Sequence, residues 1–257
     1  MARKTYPAKR AQKSKESRKQ ENRKDQDYYN DVFNSVDLQR DVIMQRVVPP
    51  LRALNESQFN GIVSIRKNAI TFLTGPAGTG KSYIAAGVAC EMLAAKQIER
   101  IIITRPKICV DKEEWGALPG TLEDKFAEYI EPFVDVMRER LGVGPLKYML
   151  SHGRICAKPL AFLRGYTFKG DTFVICDEGQ NVSKSQYQCF LTRIGEDAKM
   201  VIAGDYEQTD LKGISGMEDA VKRLAGIESV GIIEFDENDI VRSGLAREIV
   251  LAYRRNL

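Results

Sequence analysis

The sequence contains one histidine (His152), one tryptophan (Trp115) and five scattered cysteines in 257 residues. Each scarcity removes a class of chemistry. His152 lies in a Ser-His-Gly run with no nucleophile pattern beside it, so histidine-based acid–base catalysis finds no support. Cys90, Cys109, Cys156, Cys176 and Cys189 form no close pair. That spacing argues against zinc-ribbon and dithiol redox motifs, and a reduced, cytoplasmic setting is expected. No apolar stretch approaches the roughly 18 residues that a membrane span requires. The basic N-terminus has no apolar segment behind it, so no secretory leader is expected either.

What is present is an ordinary globular composition, 43% hydrophobic and 29% charged, with the charge unevenly placed. Residues 1–24 carry ten Lys and Arg against Glu16 and Glu21, a balance of +8, which leaves −4 for the rest of a chain of net +4. Residues 1–27 have almost nothing to bury and read as a disordered or solvated arm. Such an arm is either a solubilising tail or an electrostatic contact to nucleic-acid phosphates. Residues 28–257 read as one domain. Within it, 28–50 form a mixed helical pattern that packs on the core or binds a partner, and Asn55–Arg66 form a helix with Phe59, Ile62, Val63 and Ile65 available to pack.

The rest of the chain is organised around one stretch. An apolar run from Ala69 to Leu73 reads as a buried strand and breaks into Gly75-Pro76-Ala77-Gly78-Thr79-Gly80-Lys81-Ser82. That octet fills every position of the phosphate-loop pattern, and an Ala-, Met- and Leu-rich helix follows it. The glycines let successive backbone N–H groups converge on one anion, and the helix aims its positive end at the same point. Lys81 would reach the β- and γ-phosphates, and the Ser82 hydroxyl would hold Mg²⁺.

Four further runs have strand length: Ile101–Thr104, Thr172–Cys176, Met200–Ala203 and Gly231–Phe235. Their alternation with helical segments predicts a mainly parallel α/β sheet flanked by helices. The stretch 105–170 exceeds what one crossover needs and reads as an insertion between the second and third core strands. It holds a helix near Leu122–Arg140 interrupted by Pro132, and small strands around Arg154–Cys156 and Tyr166–Phe168. Thr172–Cys176 runs into Asp177-Glu178, the acids a phosphate loop requires of a partner strand. Asp177 would support the metal, and Glu178 would orient and activate the attacking water, with Gly179 permitting the turn that separates them. The next strand ends in Gly204-Asp205-Tyr206-Glu207-Gln208, where Gln208, assisted by Asp205, is placed to sense the γ-phosphate. Trp115 and Tyr166, the latter flanked by Arg164 and Lys169, either stack on unpaired bases or pack beneath the insertion.

Together with Thr104-Arg105-Pro106, Leu118-Pro119-Gly120, Asp177-Glu178-Gly179-Gln180-Asn181, Gly204–Leu211 and Asp239–Leu245, the phosphate loop resembles the PhoH family of ATPases over residues 52–256. That family is similar to the first RecA-like domain of superfamily 1 helicases. The resemblance implies ATP and Mg²⁺ as cofactors, a link to single-stranded RNA or DNA with RNA favoured, and sheet order 5-1-4-3-2. It also implies that Gln58 reads the adenine edge. Gly179 departs from the alanine usual in the family. A basic arm stands where some relatives carry nuclease-like or RNA-binding domains, so nuclease activity is not expected.

Phosphoryl transfer concentrates charge that an arginine must offset. The residues after 210 show no second phosphate-loop half, so the arginine is expected from an adjacent subunit or from Arg242 in cis, with Arg105 as the alternative or as a nucleic-acid contact. A ring, hexameric by resemblance, follows from the first possibility. Three functions remain in view: an ATPase coupled to nucleic acid, with helicase activity included; a nucleotide-switched assembly protein; and a small-molecule kinase, disfavoured by the lack of a recognisable lid.

Overall fold

The computed structural model describes residues 50–106, 122–163, 165–211 and 215–254. The basic arm, the 28–49 pattern, Trp115, Leu118–Gly120 and Arg164 lie outside the described residues.

Six parallel strands form one sheet: β1 Ile70–Thr74, β2 Arg100–Thr104, β3 Ile155–Ala157, β4 Thr172–Cys176, β5 Lys199–Gly204 and β6 Val230–Glu234, in the order β3-β2-β4-β5-β1-β6. The five expected strands take the expected order, and the sixth extends the β2 edge. β3 comes from the stretch read as an insertion, so part of that stretch belongs to the sheet itself. Its Ile155, Cys156 and Ala157 pair with Ile101, Ile102 and Ile103.

Every residue of β1 and β4 is buried, the pattern of a parallel sheet covered on both faces. Alternate strand residues Phe72, Ile102, Val174, Met200 and Ile202 pack with Tyr187 and Phe190 of α5 (Lys184–Leu191) and Met217 and Ala220 of α6 (Gly216–Leu224). A second group comprises α1 (Glu56–Lys67), α2 (Lys81–Ala94) and α3 (Leu122–Leu141). α4 (Val143–Ser151) follows α3, and α7 (Gly244–Arg254) ends the described chain. α2 is enclosed nearly all round, which its run of Ala85, Ala86, Gly87, Val88 and Ala89 allows.

Two helix expectations change. In α1 the buried stripe is Gln58, Gly61, Ile62 and Ile65, while Phe59 and Val63 face outward, 58% and 46% exposed. Helical spacing alone leaves both stripes open. α3 runs unbroken through Pro132, which does not interrupt it.

One polar hub ties the second helix group together. Glu91 on α2 accepts from Arg140 of α3, from Arg66 of α1 and from the Leu51 amide. Arg140 is only 4% exposed. Removing the carboxylate takes away the one acceptor that Arg140, Arg66 and the Leu51 amide share, and breaking a buried ion pair costs about 3–5 kcal/mol. Glu91→Ala is therefore expected to lower the melting temperature by on the order of 10 °C, measurable by calorimetry.

Candidate active site

β1 delivers the chain into the phosphate loop, and α2 leaves it at Lys81 with Gly80 as a left-handed N-cap (φ 87°). The loop is clamped from two sides. From the C-terminal segment, the Val241 amide donates to the Gly78 carbonyl at 3.0 Å, and the Arg242 side chain lies flat against Gly78. A Cβ at Gly78 would stand 2.8 Å from Arg242 Cδ and Nε and would displace the arginine from this position, and the backbone φ of 84° itself favours glycine. From α1, Gln58 Nε2 donates to the Thr79 carbonyl at 2.9 Å, while Gln58 Oε1 accepts from the Leu54 amide at 2.9 Å.

Gln58 is thus a brace beneath the loop, 1% exposed, with both ends of its amide engaged, and it is absent from the cleft lining. This placement differs from the adenine-reading role the family resemblance implied. Gln58→Ala would leave the Thr79 carbonyl and Leu54 amide without their partners, a loss of about 1–3 kcal/mol. Fluorescent-nucleotide titration is expected to show adenine and guanine nucleotides weakened alike, with their ratio unchanged.

The cleft is open to solvent, has a volume of about 280 Å³ and is lined by Ala77, Gly78, Gly80, Lys81, Ser82, Arg105, Asp177, Glu178, Gln208 and Arg242, among others. The remaining loop residues, Gly75, Pro76 and Thr79, do not line it. The Lys81 ammonium donates to the carbonyls of Gly75 (2.7 Å) and Pro76 (2.6 Å). Those oxygens hold the lysine at the loop, where an incoming phosphate would compete for it. Ser82 Oγ donates to Asp177 Oδ1 at 2.8 Å, and Arg105 pairs with Asp177 Oδ2. A hydroxyl and a carboxylate in contact beside a phosphate-cradling loop are the hard oxygen donors that Mg²⁺ selects. The guanidinium on Asp177 marks the place as one that accepts a cation. Ser82 and Asp177 are the residues that would hold the metal, which would supply charge neutralisation for bound phosphates.

The turn that separates the two acids is made at Glu178, which itself takes the left-handed conformation (φ 54°, ψ 38°). Gly179 is needed for space instead. A Cβ there would stand 2.6 Å from Ile202 Cγ2 and 2.7 Å from Tyr187 Oη. Tyr187 Oη donates to the Gly179 carbonyl at 2.8 Å, and burial pushes its pKa well up, so it remains a donor.

Sequence reasoning assigned no role to Gln180, which is 1% exposed. Its Nε2 donates to Glu178 Oε2 at 2.7 Å and to the Gln208 carbonyl at 3.4 Å, and its Oε1 accepts from the Asp205 amide at 3.1 Å. The carboxylate of Glu178 is thereby linked to the β5 loop. Asp205 Oδ1 accepts from the Glu207 amide at 3.1 Å and shapes the turn that brings the exposed Gln208 side chain to the cleft. The sequence signal for Gln180 is its place two residues beyond Glu178 in the Asp177–Asn181 stretch, which marks the position without giving it a role.

Other candidates are engaged elsewhere. Tyr166 accepts from Arg100 at 3.1 Å and lies 4.9 Å below the Lys158 ammonium, half-buried against Phe168, which favours the packing reading. Burial pushes the Cys90 thiol up to about 12 and raises Cys176 as well, which removes both as nucleophiles at neutral pH. Among the described residues no helix is long and apolar enough to cross a membrane.

A parallel sheet that hands its first strand to a phosphate-cradling loop, and its fourth to the acid bonded to that loop's serine, is the framework of a RecA-like phosphate-loop nucleotide-binding domain. The chain belongs to the PhoH-like protein family, whose model matches residues 50–254. It is 42% identical over 212 residues to Protein PhoH of Escherichia coli (strain K12), covering 81% of this chain and 59% of that protein. With the PhoH-like protein of Bacillus subtilis (strain 168) it shares 39% identity over 205 residues, 79% of this chain and 64% of the relative. The chain thus spans less than two thirds of these relatives. Among solved structures, the large terminase of a thermophilic bacteriophage superposes with a TM-score of 0.47 at 11% identity, over 79% of this chain and 50% of the terminase.

Proposed function

We propose that this protein is a Mg²⁺-dependent ATPase whose turnover is coupled to single-stranded nucleic acid, RNA favoured, with duplex unwinding as the fullest form of that activity. The observation that carries the reading is the contact of Ser82 with Asp177 at the phosphate loop, with Glu178 next in sequence and Arg242 seated on Gly78. In this reading Lys81 and the loop amides bind the phosphates, and Ser82 and Asp177 hold the metal. Glu178 orients the attacking water and takes its proton, Gln208 senses the γ-phosphate, and Arg242 offsets the charge that develops on it. The +8 arm contacts nucleic-acid phosphates.

Self-association into a ring, hexameric by family resemblance, is part of the proposal but is not required to bring an arginine to the cleft, since Arg242 does so in cis. One observation favours the assembly reading as a second possibility: Val241, Leu245 and Ile249 are 43%, 71% and 49% exposed, beginning one residue before Arg242.

The deciding experiment is steady-state ATP hydrolysis with and without single-stranded RNA and DNA, the wild type beside Glu178→Gln. Stimulation by nucleic acid in the wild type, lost in the variant, supports the coupled ATPase. Hydrolysis indifferent to nucleic acid favours the nucleotide-switched assembly.

A further inference from the structure

The geometry points to Arg105 as the resident counter-cation of Asp177, one that is exchanged when a metal-bound nucleotide enters the cleft. This rests on the nucleotide site proposed above. β2 and β4 are in register with Thr104 opposite Cys176, and the Asp177 amide extends the ladder by donating to the Thr104 carbonyl at 2.9 Å. The next residue beyond each strand pair therefore emerges at the same height, which sets Arg105 beside Asp177. Pro106 restrains Arg105 to extended backbone and keeps it from curling into a helix.

Both oxygens of Asp177 are engaged. Oδ1 accepts from Ser82, and Oδ2 accepts from Arg105 through Nε at 3.0 Å and through Nη2 as well. The Asp177 side chain is 9% exposed, and a carboxylate that deep needs a cation beside it. The same carboxylate and the same serine are the oxygens suited to Mg²⁺. A divalent ion serving them would stand within a few ångströms of the guanidinium, and like charges at that range exclude each other. Metal and Arg105 are thus alternative partners of one carboxylate. Arg105 keeps a route of release, because its side chain is 26% exposed and lines the same cleft as Lys81 and Arg242. There its fork suits the oxygens of the incoming phosphates.

Exchange makes a specific demand: the Arg105–Asp177 pair must oppose metal binding, and removing it must make the metal bind more readily. The test compares wild type with Arg105→Ala and Arg105→Lys in two measurements. In the first, fluorescent ADP is titrated at a series of Mg²⁺ concentrations. The Mg²⁺ concentration for half-maximal affinity is expected to fall at least about fivefold in Arg105→Ala, the scale of a coupling between sites, with Arg105→Lys between. In the second, melting is followed in chelator and in Mg²⁺ alone, without nucleotide. Arg105→Ala is expected to melt lower in chelator and to regain stability on Mg²⁺ addition, while the wild type responds little. Equal Mg²⁺ midpoints and equal melting responses in all three proteins would overturn the exchange and leave a purely structural ion pair. Failure of the wild type to bind fluorescent ADP would refute the nucleotide site, and the Mg²⁺-only melting comparison would still decide the role of Arg105. If Arg105→Ala does not fold, Arg105→Lys and Arg105→Gln carry both measurements.

Discussion

Glu178→Gln is expected to lower the rate of ATP hydrolysis by about 10²- to 10⁴-fold, the contribution of a positioned general base, while nucleotide affinity stays within a few-fold of wild type. The expected split follows from position. Glu178 lies at the cleft but takes no part in the loop that cradles phosphate, and its carboxylate is held from behind by Gln180 Nε2 at 2.7 Å. An amide of the same shape preserves the packing and removes only the proton acceptor. The left-handed backbone at Glu178, a conformation costing roughly 1–3 kcal/mol for a non-glycine residue, is maintained by the Tyr187–Gly179 hydrogen bond and the Gln180 anchor. A single-turnover assay on preloaded protein separates the two effects. A variant that binds weakly yet hydrolyses at the wild-type rate would remove Glu178 from the chemistry.

Arg242→Ala is expected to cost about 10³- to 10⁵-fold in hydrolysis if Arg242 supplies the transition-state charge, as arginines do in other nucleotidases. Its seat on Gly78 is fixed by the neighbouring Val241–Gly78 hydrogen bond and by the Phe235 amide donating to the Thr74 carbonyl at 2.7 Å. The 235–242 segment is thereby tied near both ends, to the end of β1 and to the loop of the same chain. The wild-type rate per subunit is accordingly expected to hold constant as the protein is diluted. A rate per subunit that collapses on dilution, with Arg242→Ala indistinguishable from wild type, would assign the arginine to a neighbouring subunit instead.

Local chemistry makes the phosphate loop, its strand and its helix legible, because the spacing of glycines, lysine and serine is itself the geometry. The order of the five main strands is equally legible once the family resemblance is recognised. β3 escapes notice as a sheet member because three residues, Ile155 to Ala157, carry too little periodicity to separate a sheet edge from a small isolated strand. Pro132 reads as a break because proline removes a helical donor; α3 continues through it, with Phe133, Val136 and Met137 buried just beyond. Gly179 is the natural residue for a left-handed turn, yet tertiary packing against Ile202 and Tyr187 uses its lack of a side chain for space. Gln58 and Gln180 are the least legible. A glutamine declares its role through its partners, and these lie up to 28 residues away in sequence, at Thr79 for the first and at Asp205 and Gln208 for the second.

The central proposal is that this cleft stabilises phosphoryl transfer with residues of one subunit. Its most direct test is the affinity for ADP in Mg²⁺ with and without aluminium fluoride, which completes a mimic of the transferring phosphoryl group. The wild type is expected to bind the mimic at least about 10²-fold more tightly than ADP alone, with most of that gain lost in Arg242→Ala. Equal affinities with and without aluminium fluoride in the wild type would contradict a catalytic cleft and leave a site that only binds nucleotide.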